Sequence, residues 1–276
     1  MKQFSRRFYR AVLRVIPNCI TQSQAVAFNM FLAFFPMVLV VLGIVASSEQ
    51  AHDAVQEIVT RMQPVLPPGT TVVLSDFVAH HGAHSWEWIS LGTAGTLIAG
   101  TQMMKLLMEG FRIVSGDAQS RGTISRNLRA LILLVATIGP ALFTVNLFVF
   151  GKQLRAWMLY QSSMPVLIRL VWSALYFVAG LLIATLVLSA VYRLGRYQPQ
   201  RWRTVVPGAL VATLMWWIVS AAFGYYMRHA PYGVVYGGLA TAIALMLWMN
   251  LTSSILFIGA AYNAELQSVA AAGVQG

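Results

Sequence analysis

Apolar runs long enough to cross a lipid bilayer recur along almost the whole chain. A run of about 18 or more apolar residues can cross about 30 Å of hydrocarbon as a helix. Only 10% of the 276 residues are charged, whereas soluble domains have about 25%. The sequence therefore predicts an all-α protein embedded in a membrane. Six spans are expected, at residues 25–46, 86–108, 130–150, 166–191, 205–226 and 237–261.

The lysines and arginines are distributed unevenly between the connections of these spans. Fourteen fall in the N-terminal segment, in the second and fourth connections, or, for Lys105, at the adjoining end of the second span, whereas four fall in the connections on the other side. Because connections rich in lysine and arginine stay in the cytoplasm, both termini are predicted to be cytoplasmic. This topology accounts for the net charge of +11, and no nucleic-acid-binding motif accompanies it. Nucleic acid is therefore not an expected partner.

Three segments outside the spans have predictions of their own. Residues 1–24 place apolar and basic residues on opposite faces at helical spacing, which predicts an amphipathic helix lying on the membrane surface. Residues 47–85, the one long external connection, carry apolar residues at the same spacing and predict a small helical cap. Residues 262–276 are expected to form a cytoplasmic tail.

Candidate metal ligands are few. His80, His81 and His84 follow Asp76 in the external connection, at a spacing that could bind zinc or copper. A solvated loop is the favoured interpretation, because nothing in the local sequence fixes three imidazoles in tetrahedral geometry. The single cysteine, Cys19, has no partner for a disulfide within the chain. Neither a metal nor a cofactor is therefore expected.

The last third of the chain carries an ordered set of short motifs. In chain order they are a basic loop with Arg193, Arg196, Arg201 and Arg203, then Pro207-Gly208, Tyr236-Gly237-Gly238 and Asn263-Ala264-Glu265. Their order and spacing resemble the YihY/BrkB family of bacterial inner-membrane proteins. The chain departs from the family pattern at Ala261, where members commonly have a glutamate. The resemblance implies an integral inner-membrane protein connected with envelope integrity or with movement of lipids or solutes.

Members of this family have also been labelled ribonuclease BN. A nuclease needs carboxylates or histidines that converge on a phosphate. The acidic residues predicted on the cytoplasmic side, Glu109, Asp117 and Glu265, show no His-x-Glu or Asp-x-Asp pairing. We therefore do not expect ribonuclease activity or any other enzyme activity.

Four residues within the predicted spans are candidates for a substrate path: Asn29, Pro36, Asn146 and Asn250. Polar side chains are costly in hydrocarbon, so they usually face other helices or a cavity. Hydrogen bonding between helices is the favoured interpretation of the three asparagines, with a substrate path as the alternative. Pro36 removes a hydrogen bond from its helix and can kink it.

The arginines of the fourth connection suit phosphate headgroups, because a guanidinium binds phosphate through two parallel N–H groups. The sequence therefore favours a protein that moves or binds amphipathic envelope substrates, such as phospholipids or lipid-linked precursors. Membrane lipids and their anionic headgroups are the expected partners. A non-transporting envelope scaffold that binds partner proteins is the first alternative, and a small-solute or ion channel is the second. Self-association into a homo-oligomer is left open.

Overall fold

The structure, a computed structural model, describes residues 2–46, 85–117, 122–140, 165–196, 200–229 and 232–272. Every regular element within these ranges is an α-helix, which confirms the predicted all-α class. The helices are α1 (Lys2–Ala46), α2 (Ser85–Ser115), α3 (123–140), α4 (Pro165–Gly195), α5 (Trp202–His229) and α6 (Tyr232–Ala272).

Four of these helices contain a stretch that is long and apolar enough to cross a membrane. The stretches are Cys19–Val40, Leu170–Gly195, Trp202–Met227 and Leu239–Ser268. They overlap the predicted first, fourth, fifth and sixth spans. The predicted second span is helical within α2, and α3 is described only as far as residue 140. The count of six spans therefore stays a prediction, and residues 47–84 of the predicted cap lie outside the described residues.

α1 and α2 run in opposite directions. A Cβ atom built on Gly92 of α2 would lie 2.7 Å from the carbonyl oxygen of Pro36, while Gly110 near the other end of α2 lies beside Cys19. Gly110 also meets the Phe257 ring of α6. The first half of α1 and the second half of α6 therefore lie at the same end of the bundle. We call this the basic end, because the arginine-rich connection between α4 and α5 lies there.

Buried hydrophobic side chains concentrate at the basic end. Phe111 of α2 makes edge-to-face contacts with Tyr192 of α4 and Phe257 of α6, with ring centroids 5.3 and 5.9 Å apart. Farther from this end, large apolar side chains are exposed: Ile98 is 74% exposed and Ile218 is 70% exposed. Such side chains are suited to contact lipid. Among the described residues, the buried protein core therefore lies mainly at the basic end.

The structure differs from the prediction at the N-terminus. α1 is one continuous helix of 45 residues, so segment 1–24 runs directly into the first span rather than forming a separate helix. Ala11 and Val15, on the face predicted to enter the lipid, are buried in the protein core. An apolar stripe has the same spacing whether it meets lipid or another helix, and periodicity alone could not separate the two.

The structure also differs from the prediction at the C-terminus, where a tail was expected from residue 262. α6 instead continues to Ala272. Tyr262, Asn263, Ala264 and Glu265 are buried, and Tyr262 belongs to the hydrophobic core. Although residues 262–265 include polar side chains, they form part of a helix face that packs against α5.

Candidate functional site

The amide of Asn263 joins α6 to the first turns of α5. The backbone N–H of Gly208 donates to Asn263 Oδ1 at 2.7 Å, and Asn263 Nδ2 donates to the carbonyl oxygen of Val205 at 2.9 Å. Pro207 lies between these two backbone groups and has no N–H to donate. A Cβ on Gly208 would overlap the carbonyl oxygen of Gly259, so the glycine permits the close helix crossing. The structure therefore brings the Pro-Gly and Asn-Ala-Glu motifs together.

Tyr192 fastens α4 to the same part of α6. Its hydroxyl donates to the carbonyl oxygen of Leu256 at 2.7 Å, and it also lies against Gly259. The ring is buried and packs on Phe111. These contacts hold the ends of α4, α5 and α6 together beside the arginine-rich connection.

Arg196 forms a three-helix cluster with Asp117 and Gln267, which we call the latch. Arg196 Nη2 and Nε donate to the two Asp117 carboxylate oxygens at 2.9 and 3.2 Å, and Nη1 donates to Gln267 Oε1 at 3.0 Å. Gln267 also pairs amide to amide with Gln200. The Arg196 side chain is only 16% exposed. The structure thus shows that this predicted headgroup-binding residue is engaged by protein groups.

A second ion pair lies beside the latch. Arg112 Nη2 contacts Glu109 Oε1 at 2.6 Å, and Arg112 Nη1 donates to the carbonyl oxygen of Asp117 at 3.2 Å. The hydrogen bond from Arg112 holds the pKa of the Glu109 carboxyl below its ordinary value, and the nearby charges of Arg112 and Arg126 act in the same direction. The same contact raises the pKa of Arg112. This pair positions the chain segment that presents the Asp117 carboxylate.

Arg193 is in a different environment from Arg196. Its Cζ atom lies 4.8 Å from the centroid of the Trp202 ring, a cation–π arrangement. Its Nε is buried, and no hydrogen-bond partner for it occurs in the described part of the chain. Arg201 and Arg203 are exposed next to Trp202. Arg193, Arg201 and Arg203 therefore lie around the start of α5, and within the described ranges none of them has a carboxylate contact like that of Arg196.

The three predicted substrate-path residues that the structure describes each have local contacts of their own. Asn29 Nδ2 donates to the carbonyl oxygen of Ala25 in its own helix at 2.9 Å. Pro36 lies against Gly92 of α2, and the half-buried Asn250 accepts a hydrogen bond at its backbone oxygen from Ser254. Local hydrogen bonding of Asn29 agrees with a structural role.

Several predicted residues lie outside the described part of the chain or contribute only to helix ends. Asn146, the three external histidines and Asp76 lie outside the described residues. Tyr236, Gly237 and Gly238 belong to the first turns of α6. Glu265 is buried in α6, where its backbone oxygen accepts a hydrogen bond from Ser268.

Two tryptophans for which the sequence predicted no partner join α5 to α6 within the apolar region. Trp216 Nε1 donates to Thr252 Oγ1, and Trp248 Nε1 donates to Ser220 Oγ, each at 3.3 Å. The two rings lie 6.1 Å apart. The partner of Trp216 is 36 residues away in the sequence and that of Trp248 is 28 residues away, so no local pattern could have revealed either contact.

These features together define the class of protein. Four of the described helices are long and apolar enough to cross a membrane. The chain is a multi-pass α-helical membrane protein. A family model described as virulence factor BrkB matches residues 18–275, so the chain belongs to this family. No group of three or more His, Cys, Asp or Glu residues that could hold a metal occurs in the described residues.

Relatives with this similarity come from several bacteria. A ribonuclease-like protein of Bacillus subtilis, YfkH, is 24% identical over 89% of this chain and 89% of its own length. A UPF0761 membrane protein of Mannheimia succiniciproducens is 23% identical over 96% of this chain and 91% of its own length. Another, from Nitrosospira multiformis, is 22% identical over 91% of this chain, which spans only 58% of that longer relative. No solved structure matches the chain.

Proposed function

We propose that this protein binds amphipathic anionic lipids, such as phospholipids or lipid-linked envelope precursors, at its basic end and moves them across the bacterial inner membrane. In this proposal the basic end and both termini face the cytoplasm. The excess of lysine and arginine in the connections at that end supports the orientation.

The observation that carries the proposal is the environment of Arg193. Its guanidinium lies over the Trp202 ring, and its buried Nε has no hydrogen-bond partner in the described residues. A buried donor without an acceptor costs about 1–3 kcal/mol, and more when it is charged. A phosphate group that reached the fork of Nε and Nη would supply the missing acceptor and a negative charge.

The neighbouring arginines support the same interpretation. Arg201 and Arg203 are exposed on either side of Trp202, where each could attract an anionic headgroup. Arg196 is engaged by Asp117 instead. The proposed headgroup site therefore consists of Arg193, Arg201 and Arg203, with Arg196 in a positioning role.

An apolar stripe on α5 begins where these arginines lie. Its members recur every four residues on the exposed side of the helix: Trp202, Val206, Leu210, Leu214 and Ile218. Successive members of this row are neighbours on the helix surface, and the row turns gradually around α5 as it leads from the headgroup site into the apolar part of the bundle. An acyl chain attached to a bound phosphate could lie along it, which is why an amphipathic ligand is favoured over a free anion.

Lipid binding by the purified protein tests this proposal. The full chain in detergent is titrated with fluorescent phosphatidylglycerol, with phosphatidylcholine as the zwitterionic comparison and inorganic phosphate as a competitor. We expect preference for phosphatidylglycerol, and at least about tenfold weaker binding by Arg193→Gln, because charge-assisted hydrogen bonds contribute about 1.5–3 kcal/mol. Arg193→Lys keeps the charge but lacks the planar fork, so it should bind at an intermediate level.

A matched control separates a specific site from general surface charge. Arg10 is an exposed arginine of α1 at the basic end. Arg10→Gln should bind phosphatidylglycerol nearly as well as the wild type does. Equal losses for Arg10→Gln and Arg193→Gln would show that only net charge matters. A wild-type protein that retains no lipid would favour the scaffold alternative.

A further inference from the structure

The latch joins the ends of three helices that are far apart in sequence. Asp117 follows α2, Arg196 follows α4, and Gln267 lies in the last turns of α6. Arg196 binds Asp117 through two hydrogen bonds, and their side chains are 16% and 26% exposed, respectively. Water therefore screens this ion pair less than it would a fully exposed pair, and the two hydrogen bonds fix the relative orientation of the two side chains.

The latch lies directly over the protein core. Gly195, next to Arg196, lies against the Phe111 ring, since a Cβ there would come 3.0 Å from the ring. One layer farther in, Cys19 of α1 is 0% exposed, and its Sγ lies 4.0 Å from the carbonyl oxygen of Gly110. Separation of α2 from α4 and α6 at the latch would therefore open a way toward Cys19.

The packing away from the basic end is different. Exposed apolar side chains dominate there on α2, α4 and α5, as Ile98, Leu182 and Ile218 illustrate. Large buried side chains and cross-helix charge contacts are both found at the basic end among the described residues. Among the described residues, the part of the bundle where charged side chains join helices that are far apart in the sequence is therefore the basic end.

We infer that the latch is a gate, and that the Asp117–Arg196–Gln267 cluster holds the basic end closed and must break before this end can open. The inference rests on the proposed function, because a protein that moves lipid from the Arg193 site must let this end open and close. It gives Arg196 a positioning role, set apart from the headgroup contacts proposed for Arg193.

The native cysteine provides a direct test that needs no lipid substrate. Cys19 is the single cysteine of the chain and is buried behind the latch, so its rate of reaction with a water-soluble maleimide reports opening of the basic end. The full chain purified in detergent is compared with Arg196→Gln and with Asp117→Asn, which removes the charge at nearly constant size. Arg10→Gln, which removes an exposed arginine outside the latch and outside the proposed headgroup site, is the matched control.

Both latch variants should label Cys19 roughly three- to tenfold faster than the wild type, the factor expected when a partly buried ion pair no longer favours the closed state. Arg10→Gln should label at the wild-type rate, and Arg196→Lys should fall between. Unchanged labelling in Arg196→Gln and Asp117→Asn would overturn the inference, as would an equal increase in Arg10→Gln. If Arg196→Gln fails to elute as a folded particle, Asp117→Asn decides.

Failure of the gate and failure of the proposed function are distinguishable. Faster labelling together with absent lipid binding would retain a gate but remove its proposed substrate. Normal lipid binding with unchanged labelling would retain the headgroup site and remove the gate.

Discussion

The close crossing of α5 and α6 permits a quantitative prediction for Gly208→Ala. The new Cβ would overlap the carbonyl oxygen of Gly259 and lie 2.5 Å from the Asn263 side chain. A backbone carbonyl within a helix cannot rotate away, so the two helices must move apart. That movement would also stretch both hydrogen bonds of the Asn263 amide.

Two opposing effects decide the sign of the change in stability. Alanine is a better helix former than glycine by about 1 kcal/mol. Against this, overpacking a tight contact costs about 1–3 kcal/mol, and each buried polar group left unpaired costs about 1–3 kcal/mol. The steric and hydrogen-bond terms are larger, so Gly208→Ala should be destabilised by about 2–5 kcal/mol.

Thermal unfolding of the purified protein in detergent measures this change. At about 2–4 °C per kcal/mol for a chain of this size, the midpoint should fall by roughly 5–15 °C. Gly224→Ala is the matched control, because Gly224 lies in the same helix and no atom of another described residue lies within 4 Å of its Cβ position. The control should be unchanged or slightly stabilised. If Gly208→Ala is as stable as Gly224→Ala, the argument from the helix crossing is refuted.

Three further substitutions test other parts of the fold. Gly110→Ala should lower the unfolding midpoint, because its Cβ would overlap the Phe257 ring in the core. Trp248→Phe should cost about 1–2 kcal/mol in denaturant unfolding by leaving the Ser220 hydroxyl without its indole donor; an unchanged midpoint would contradict this. Glu109→Gln should be less stable than the wild type at pH 7, because the folded-state pKa of Glu109 is lowered. That difference should shrink as the pH falls below the ordinary carboxyl pKa of about 4.3 and through the lower folded value; a difference that grows in acid would contradict it.

The sequence predicted the helices better than it predicted their surroundings. Hydropathy located the helices of the first, fourth, fifth and sixth predicted spans, because a long apolar run has one stable structure in a bilayer. Hydropathy does not show whether an apolar helix face contacts lipid or protein. Ala11 and Val15 pack on protein although their pattern fits a membrane surface. Likewise Asn263 is buried because it satisfies two backbone groups of α5, which no local pattern records.

The candidate site was predicted as a group of arginines, and the roles within the group required the fold. Arg193 and Arg196 are one turn apart and identical in chemistry. Arg193 lies over Trp202, whereas Arg196 binds Asp117, a residue 79 positions earlier in the chain. Which arginine is paired depends on which carboxylate the packing of α2 brings near, and sequence spacing carries no information about that distance.

Lipid movement in proteoliposomes tests the proposed function most directly. The full chain is reconstituted with trace fluorescent phosphatidylglycerol, and the fraction of probe reached by an impermeant quencher is followed over time. The account predicts that wild-type protein makes inner-leaflet probe accessible, that Arg193→Gln slows this movement, and that Arg10→Gln does not. A wild-type rate equal to that of protein-free vesicles would contradict lipid movement, and an unchanged rate in Arg193→Gln would contradict the headgroup site.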